Sequence, residues 1–138
     1  MVDGPTEASD HEMTEPNRSL VRAFVETVLI SGQLDRLADF VNAESYVEHN
    51  PDFGDWPISL QSALTGENSG QRNIDYQHLH RVLAEGNFVL CASEGNIKGV
   101  HTAFYDLFRV ENGKIVEHWD TTETIAPREE WKNDNGKF

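Results

Sequence analysis

Residues 104–120 read FYDLFRVENGKIVEHWD, and this stretch decides the fold. Val100, Phe104, Phe108 and Val110 fall on one face by alternation, so Val100 to Val110 reads as a long strand. Glu111-Asn112-Gly113 follows. Asn-Gly readily takes the positive φ of a tight hairpin turn. Ile115 to Thr124 is then the returning strand. Thr102 and Asp106 share the face of the phenylalanines. Burial of such a carboxylate disfavours its charged form and raises its pKa, as a general acid or base near neutral pH needs. An ion pair with Arg81 or Arg109, or hydrogen bonds from Tyr76 or Thr102, would equally account for it.

The returning strand has two mixed faces. Val116, His118, Asp120 and Thr122 lie on one; Ile115, Glu117, Trp119 and Thr121 lie on the other. Hydrophobicity does not choose between them. Facing inward, His118 and Asp120 form a proton-transfer pair next to Asp106, since the hairpin register brings residues near 106 opposite 118 to 120. Facing outward, they form a solvated edge and Trp119 fills the core.

Upstream, the period is also two. Ile74, Tyr76, His78, His80 and Val82 share a face, with Leu79, Arg81 and Leu83 opposite. Glu85-Gly86-Asn87 is a turn, and Phe88 to Ser93 is a strand ended by Glu94-Gly95-Asn96. Before residue 74 the period is helical. Thr14 can cap a helix with Pro16 in its first turn, and Leu20, Phe24 and Val28 recur every four residues beside Val21 and Val25. Ser31-Gly32 ends it. A short second helix carries Leu34, Leu37, Phe40 and Val41. Tyr46 to Asp55 is a strand or extended turn, Trp56 to Thr65 a possible third helix, and Gly66 to Asn73 a polar loop. Helices first and an antiparallel meander afterwards predict an α+β fold. Residues 1–13 are polar and acidic and read as a disordered tail, leaving 14–138 as one domain.

The bulk numbers agree. The chain has 138 residues, 38% of them apolar and 25% charged, which suits one globular domain. Its net charge of -13 repels phosphate backbones and anionic headgroups, so nucleic acid and membrane surfaces are not expected partners. Cys91 is the only cysteine, which excludes an intrachain disulfide and a multi-cysteine zinc site, and it reads as a small core residue. No apolar run reaches the length of a membrane span, and residues 1–17 do not read as a secretory signal, so a cytoplasmic location is expected.

Two further clusters carry chemistry. Tyr46-Val47-Glu48-His49-Asn50-Pro51 holds a phenol, an imidazole and an amide in six residues; His49 titrates near neutral pH, or it only hydrogen-bonds in a turn set by Asn50 and Pro51. His78-Leu79-His80 with Glu85 resembles part of a cupin metal motif, without its glycine pattern or its second half. Satisfied or exposed histidines are the simpler reading, and no metal is expected. The sequence has no nucleophile elbow, P-loop or dinucleotide fingerprint.

Three motifs together resemble the SnoaL-like proteins, named for polyketide cyclases, within the nuclear-transport-factor-2-like superfamily. They are Tyr46 to Pro51, His80-Arg81-Val82-Leu83-Ala84-Glu85-Gly86-Asn87-Phe88-Val89, and Phe104 to Arg109 with Gly113 to Asp120. The resemblance runs from about Thr14 to Thr124. It implies a cone-shaped fold, with N-terminal helices packed in a strongly curved antiparallel sheet around an apolar pocket, and a homodimer through that sheet. It also implies aspartate general acid/base catalysis on a small apolar or carbonyl-containing compound, of aldol cyclase, isomerase or dehydratase type, with no metal or organic cofactor. By motif position Asp120 matches the catalytic aspartate and Asp106 faces it; His49 and His118 join them as candidate catalytic groups. Tyr46, Asn50, Tyr76, Phe104, Phe108 and Trp119 are the expected substrate contacts. A non-catalytic ligand-binding protein of the same fold is the alternative, ahead of a hydrolase or a metal-binding protein. Asn50 to Trp56 is more acidic and aromatic than a plain loop needs, which could alter the substrate class.

Overall fold

A hairpin needs a turn that follows the twist of its strands, and Asn112 and Gly113 take φ of 52° and 74° to supply it. The computed structural model describes residues 2–53, 64 and 73–138. Helix α1 (Thr14–Phe24) continues through a wider turn, Val25–Ile30, and α2 spans Leu37–Phe40. The strands are β1 (Val47–Glu48), β2 (Ile74–Glu85), β3 (Phe88–Ile97), β4 (Val100–Glu111) and β5 (Lys114–Thr124). They form one curved sheet in the order β1-β5-β4-β3-β2. β1 runs parallel to β5; every other pair is antiparallel. The sheet is therefore mixed rather than purely antiparallel, within the expected α+β cone.

The apolar stripe of α1 becomes the core. Val21, Phe24, Val25, Val28 and Leu29 are buried, and the Phe24 ring meets Phe108 edge-on at 5.7 Å. Gly32, at φ 72°, ends the helix as expected. Thr14 differs: it is not a cap, because its hydroxyl donates to His11 O and accepts from Gly86 N–H. The stretch 2–13, expected as a disordered tail, has contacts at two places: Asp3 accepts from Trp119 of β5, and Ser9 and His11 meet the β2–β3 turn. Ser9 and Asn87 exchange two hydrogen bonds of 2.9 and 2.8 Å, giving backbone polar groups partners that a free tail would find only in water. All of the expected third helix except Leu64, which is buried, and most of the loop after it lie outside the described residues.

Three bulges reset the faces that strict alternation predicts. In β2 the register slips between Tyr76 and His78, and again between Leu79 and Arg81. Tyr76, Leu79, Val82 and Ala84 consequently oppose the inward residues Gly95, Ser93, Cys91 and Val89, while His78 and His80 turn outward. The third slip lies between Arg109 and Val110, so Ile115 pairs with Val110 and reaches the core on the same side as His118. β3 also runs on through Glu94-Gly95-Asn96 instead of ending there, and the reversal comes at Lys98-Gly99.

Gly95 permits the close approach at the first bulge. A Cβ there would lie 1.9 Å from Asp75 O, although its φ is ordinary. Gly113 has open space but a positive φ. Gly95→Ala is expected to lose about 1–3 kcal/mol, through backbone overpacking, and Gly113→Ala about 1 kcal/mol. Urea midpoints at constant slope check this order; a Gly95→Ala midpoint at or above that of Gly113→Ala contradicts it.

Candidate functional site

Between the helices and the concave face of the sheet lies a cavity of about 590 Å³. Phe24, Leu29, Ile74, Ile97, Phe104 and Phe108 form its apolar wall. Its polar floor is built from three strands. β1 contributes Tyr46, Glu48 and Asn50, which alternate inward with a period of two through and beside the strand. β4 contributes Asp106, and β5 contributes His118 and Asp120. Asp106 and Asp120 are direct cross-strand partners because the slip between Arg109 and Val110 moves the register by one residue; the hairpin turn alone would set Asp106 opposite Trp119. Tyr76 enters from β2.

One imidazole organises this floor. His118 Nε2 lies 2.8 Å from Asp106 Oδ1, and Nδ1 lies 2.8 Å from Glu48 Oε1. Burial alone would lower the pKa of His118, but the hydrogen bonds and charges of Asp106 and Glu48 push it up to about 10. The ring is thus an imidazolium at neutral pH, donating through both nitrogens. Burial works against the Glu48 charge as well, yet His118 holds Glu48 below the usual carboxylate range. Tyr46 donates to Glu48 Oε2 at 2.7 Å and Tyr76 to Asp106 Oδ2 at 3.0 Å. Burial, reinforced by those carboxylates, raises both phenols well above their ordinary range, so they stay protonated.

Asp120 stands in a different setting. Asn50 Nδ2 reaches both of its oxygens at 2.9 Å, a neutral amide rather than a cation. Burial lifts its pKa, with the charges of Asp106 and Glu48 acting in the same direction against Asn50 and His118. A half-buried carboxylate with a raised pKa, facing an apolar cavity, has the properties of a general base.

The structure brings together Asp106, His118, Asp120, Tyr46, Asn50, Tyr76, Phe104 and Phe108 of the expected residues. It does not bring His49 or Trp119. Both lie on the opposite face of the sheet, where His49 stacks on Trp119 at 4.7 Å and meets Glu117 Oε1 at 2.8 Å. The reason is period two: His49 alternates with Glu48, and Trp119 with His118. Glu48 is the residue that sequence reasoning missed, and the inward spacing of Tyr46, Glu48 and Asn50 was its signal. The His78–His80 pair is exposed, as the simpler reading had it, but lies on the face opposite Tyr76 and Val82 rather than on theirs. His80 Nε2 lies 2.8 Å from Glu94 Oε1 on the outer face, because the bulges of β2 rotate it out.

Known proteins give the same architecture. The model of the SnoaL-like domain family matches residues 21–118. A candidate ketosteroid isomerase from Kribbella flavida superposes with a TM-score of 0.64 at 16% identity, over 91% of this chain and 94% of that one. A candidate SnoaL-like polyketide cyclase from Jannaschia gives 0.59 at 14%, over 87% and 92%. An LEH-like epoxide hydrolase from M. tuberculosis gives 0.56 at 22%, over 80% and 84%. Such identities establish fold alone. Among curated proteins, Nuclear anchorage protein 1 of Caenorhabditis elegans is 24% identical over 123 residues, and the chain spans 1% of its length.

His118 has a folded pKa of about 10 against an ordinary 6.5. Its stabilising contribution is complete below pH 6.5 and is lost as pH rises through about 10. At pH 8, nitrogen-15 NMR is expected to show both ring nitrogens of His118 protonated; a singly protonated ring there contradicts the arrangement.

Proposed function

The chain belongs to the SnoaL-like domain family, and from that premise we propose that its pocket carries out acid/base catalysis on a small carbonyl compound with an apolar body. The observation that carries this reading is the inequality of the floor's carboxylates. Asp106 and Glu48 are committed to His118, while Asp120 accepts from an amide and has its pKa raised. Asp120 takes a proton from the carbon next to the carbonyl. Negative charge develops on the carbonyl oxygen, and the positive charge of His118 stabilises it through space, since both of its N–H groups stay on Asp106 and Glu48. Asp120 then returns its proton to carbon, or to a leaving oxygen in a dehydration. The walls supplied by Phe24, Phe104 and Phe108 bury the apolar body and exclude water.

A test needs no prior substrate. Deuterium exchange at the α-carbon of a panel of small apolar ketones is followed by NMR. Asp120→Asn is expected to slow exchange by about 10²–10⁴-fold with an unchanged melting curve. Equal rates in the two proteins would remove Asp120 as the base. If no ketone exchanges and apolar ligands bind equally to wild type, Asp106→Asn and Asp120→Asn, the non-catalytic binding reading replaces this one.

Assembly belongs to the same proposal. Leu83 and Leu90 are 58% and 36% exposed on the outer face of β2 and β3, and a homodimer through the sheet would cover them. Sedimentation of the wild type is expected to give a dimer, and Leu90→Asp to weaken it; a monomeric wild type rejects the assembly.

A further inference from the structure

The pocket floor has a second property besides a base. One ligating atom from each of Asp106, His118 and Asp120 lies within 4.8 Å of the others. We propose that these three side chains form a binding site for a divalent transition-metal cation, of the zinc or cobalt class, open on one side to the pocket. This goes beyond the acid/base reading, which describes the metal-free state in which Asp120 is a free base and His118 an imidazolium, and departs from the metal-free site that the family resemblance implies.

The donor chemistry supports it. Imidazole nitrogen and carboxylate oxygen both bind zinc, and three protein ligands leave a fourth position for water or a ligand. Asp120 is only half-buried, which leaves its side chain more freedom to adjust than the buried Asp106 and His118 have. The outer partners are already in place. Ligating histidines almost always donate their other N–H to a carboxylate or carbonyl, and His118 Nδ1 faces Glu48 at 2.8 Å. Tyr76 holds the second oxygen of Asp106, and Asn50 orients Asp120. Each ligand thus has a side chain that fixes its direction.

The charge balance points the same way. Glu48, Asp52, Asp106 and Asp120 line the cavity with two cations, His118 and Lys98, and only His118 contacts the floor carboxylates Glu48 and Asp106. A dication offsets the excess. On binding, His118 Nε2 releases to solvent the proton it shares with Asp106 and coordinates through the freed lone pair; Nδ1 keeps its proton on Glu48. A second histidine–carboxylate cluster offers an internal comparison. On the outer face, Glu94 lies between His80 and His101 at 2.8 and 2.6 Å, more exposed than the floor of the pocket.

The test uses the full chain without a histidine tag, stripped with chelator and titrated with cobalt(II) chloride alone near neutral pH. Expected are visible ligand-field bands that saturate at one equivalent and vanish on adding zinc. Asp120→Asn, checked for folding by its melting curve, should lose at least about 10-fold in cobalt affinity, and Glu48→Gln about 10–100-fold. A His80→Asn/His101→Asn variant should keep both bands and affinity. Absence of bands with millimolar cobalt overturns the proposal. So do bands that survive in Asp120→Asn at full affinity, or that disappear with His80 and His101. The readout is binding, so its failure leaves the proton-exchange test of Asp120 intact, and failure of that test leaves this one intact.

Discussion

A buried imidazolium held between two carboxylates is the constraint around which the pocket is arranged. His118, Asp106 and Glu48 belong to β5, β4 and β1, so one charged ring ties three strands. Removing one partner from such a group leaves an uncompensated buried charge, which is far more costly than the intact set. This explains how β1, only two residues long, holds its place at the sheet edge. Its parallel pairing puts Glu48 beside His118, and Tyr46 closes the other oxygen of that carboxylate. Tyr76 does the same for Asp106 from β2. The network is satisfied to its ends, as a polar floor under an apolar cavity requires.

The same network distinguishes Asp120 from its neighbours. It shares the floor with two other acids, but the cation is already taken. A carboxylate left with an amide partner in a half-buried position holds its proton more readily. The fold thereby produces two kinds of acid within a few ångströms: Asp106 and Glu48, bound to the imidazole, and Asp120, whose pKa burial raises. Similarity to isomerases, cyclases and an epoxide hydrolase describes the frame, and chemistry resides in how the floor is furnished.

Bulges account for most differences between pattern and structure. Alternation is a local rule, and each inserted residue reverses it for the rest of the strand. Two such residues in β2 move His78 and His80 outward while keeping Tyr76 and Val82 inside. One in β5 brings Ile115 to the core on the side of His118. Nothing in a single strand announces a bulge, because it arises from fitting a curved sheet around α1.

The sequence by itself determined the helix stripe, the Asn112-Gly113 hairpin, the α+β order and the placing of residues near 106 opposite 118 to 120. Those features follow from periodicity and turn chemistry, which act over a few residues. Only the tertiary structure decided that His118 and Asp120 face the cavity while Trp119 does not, and that Glu48 rather than His49 completes the floor. That choice depends on β1 docking beside β5 across the 69 residues of chain that separate Glu48 from its partner His118. No local pattern encodes which side of such a distant pairing is buried; the packing of α1 against the concave sheet does.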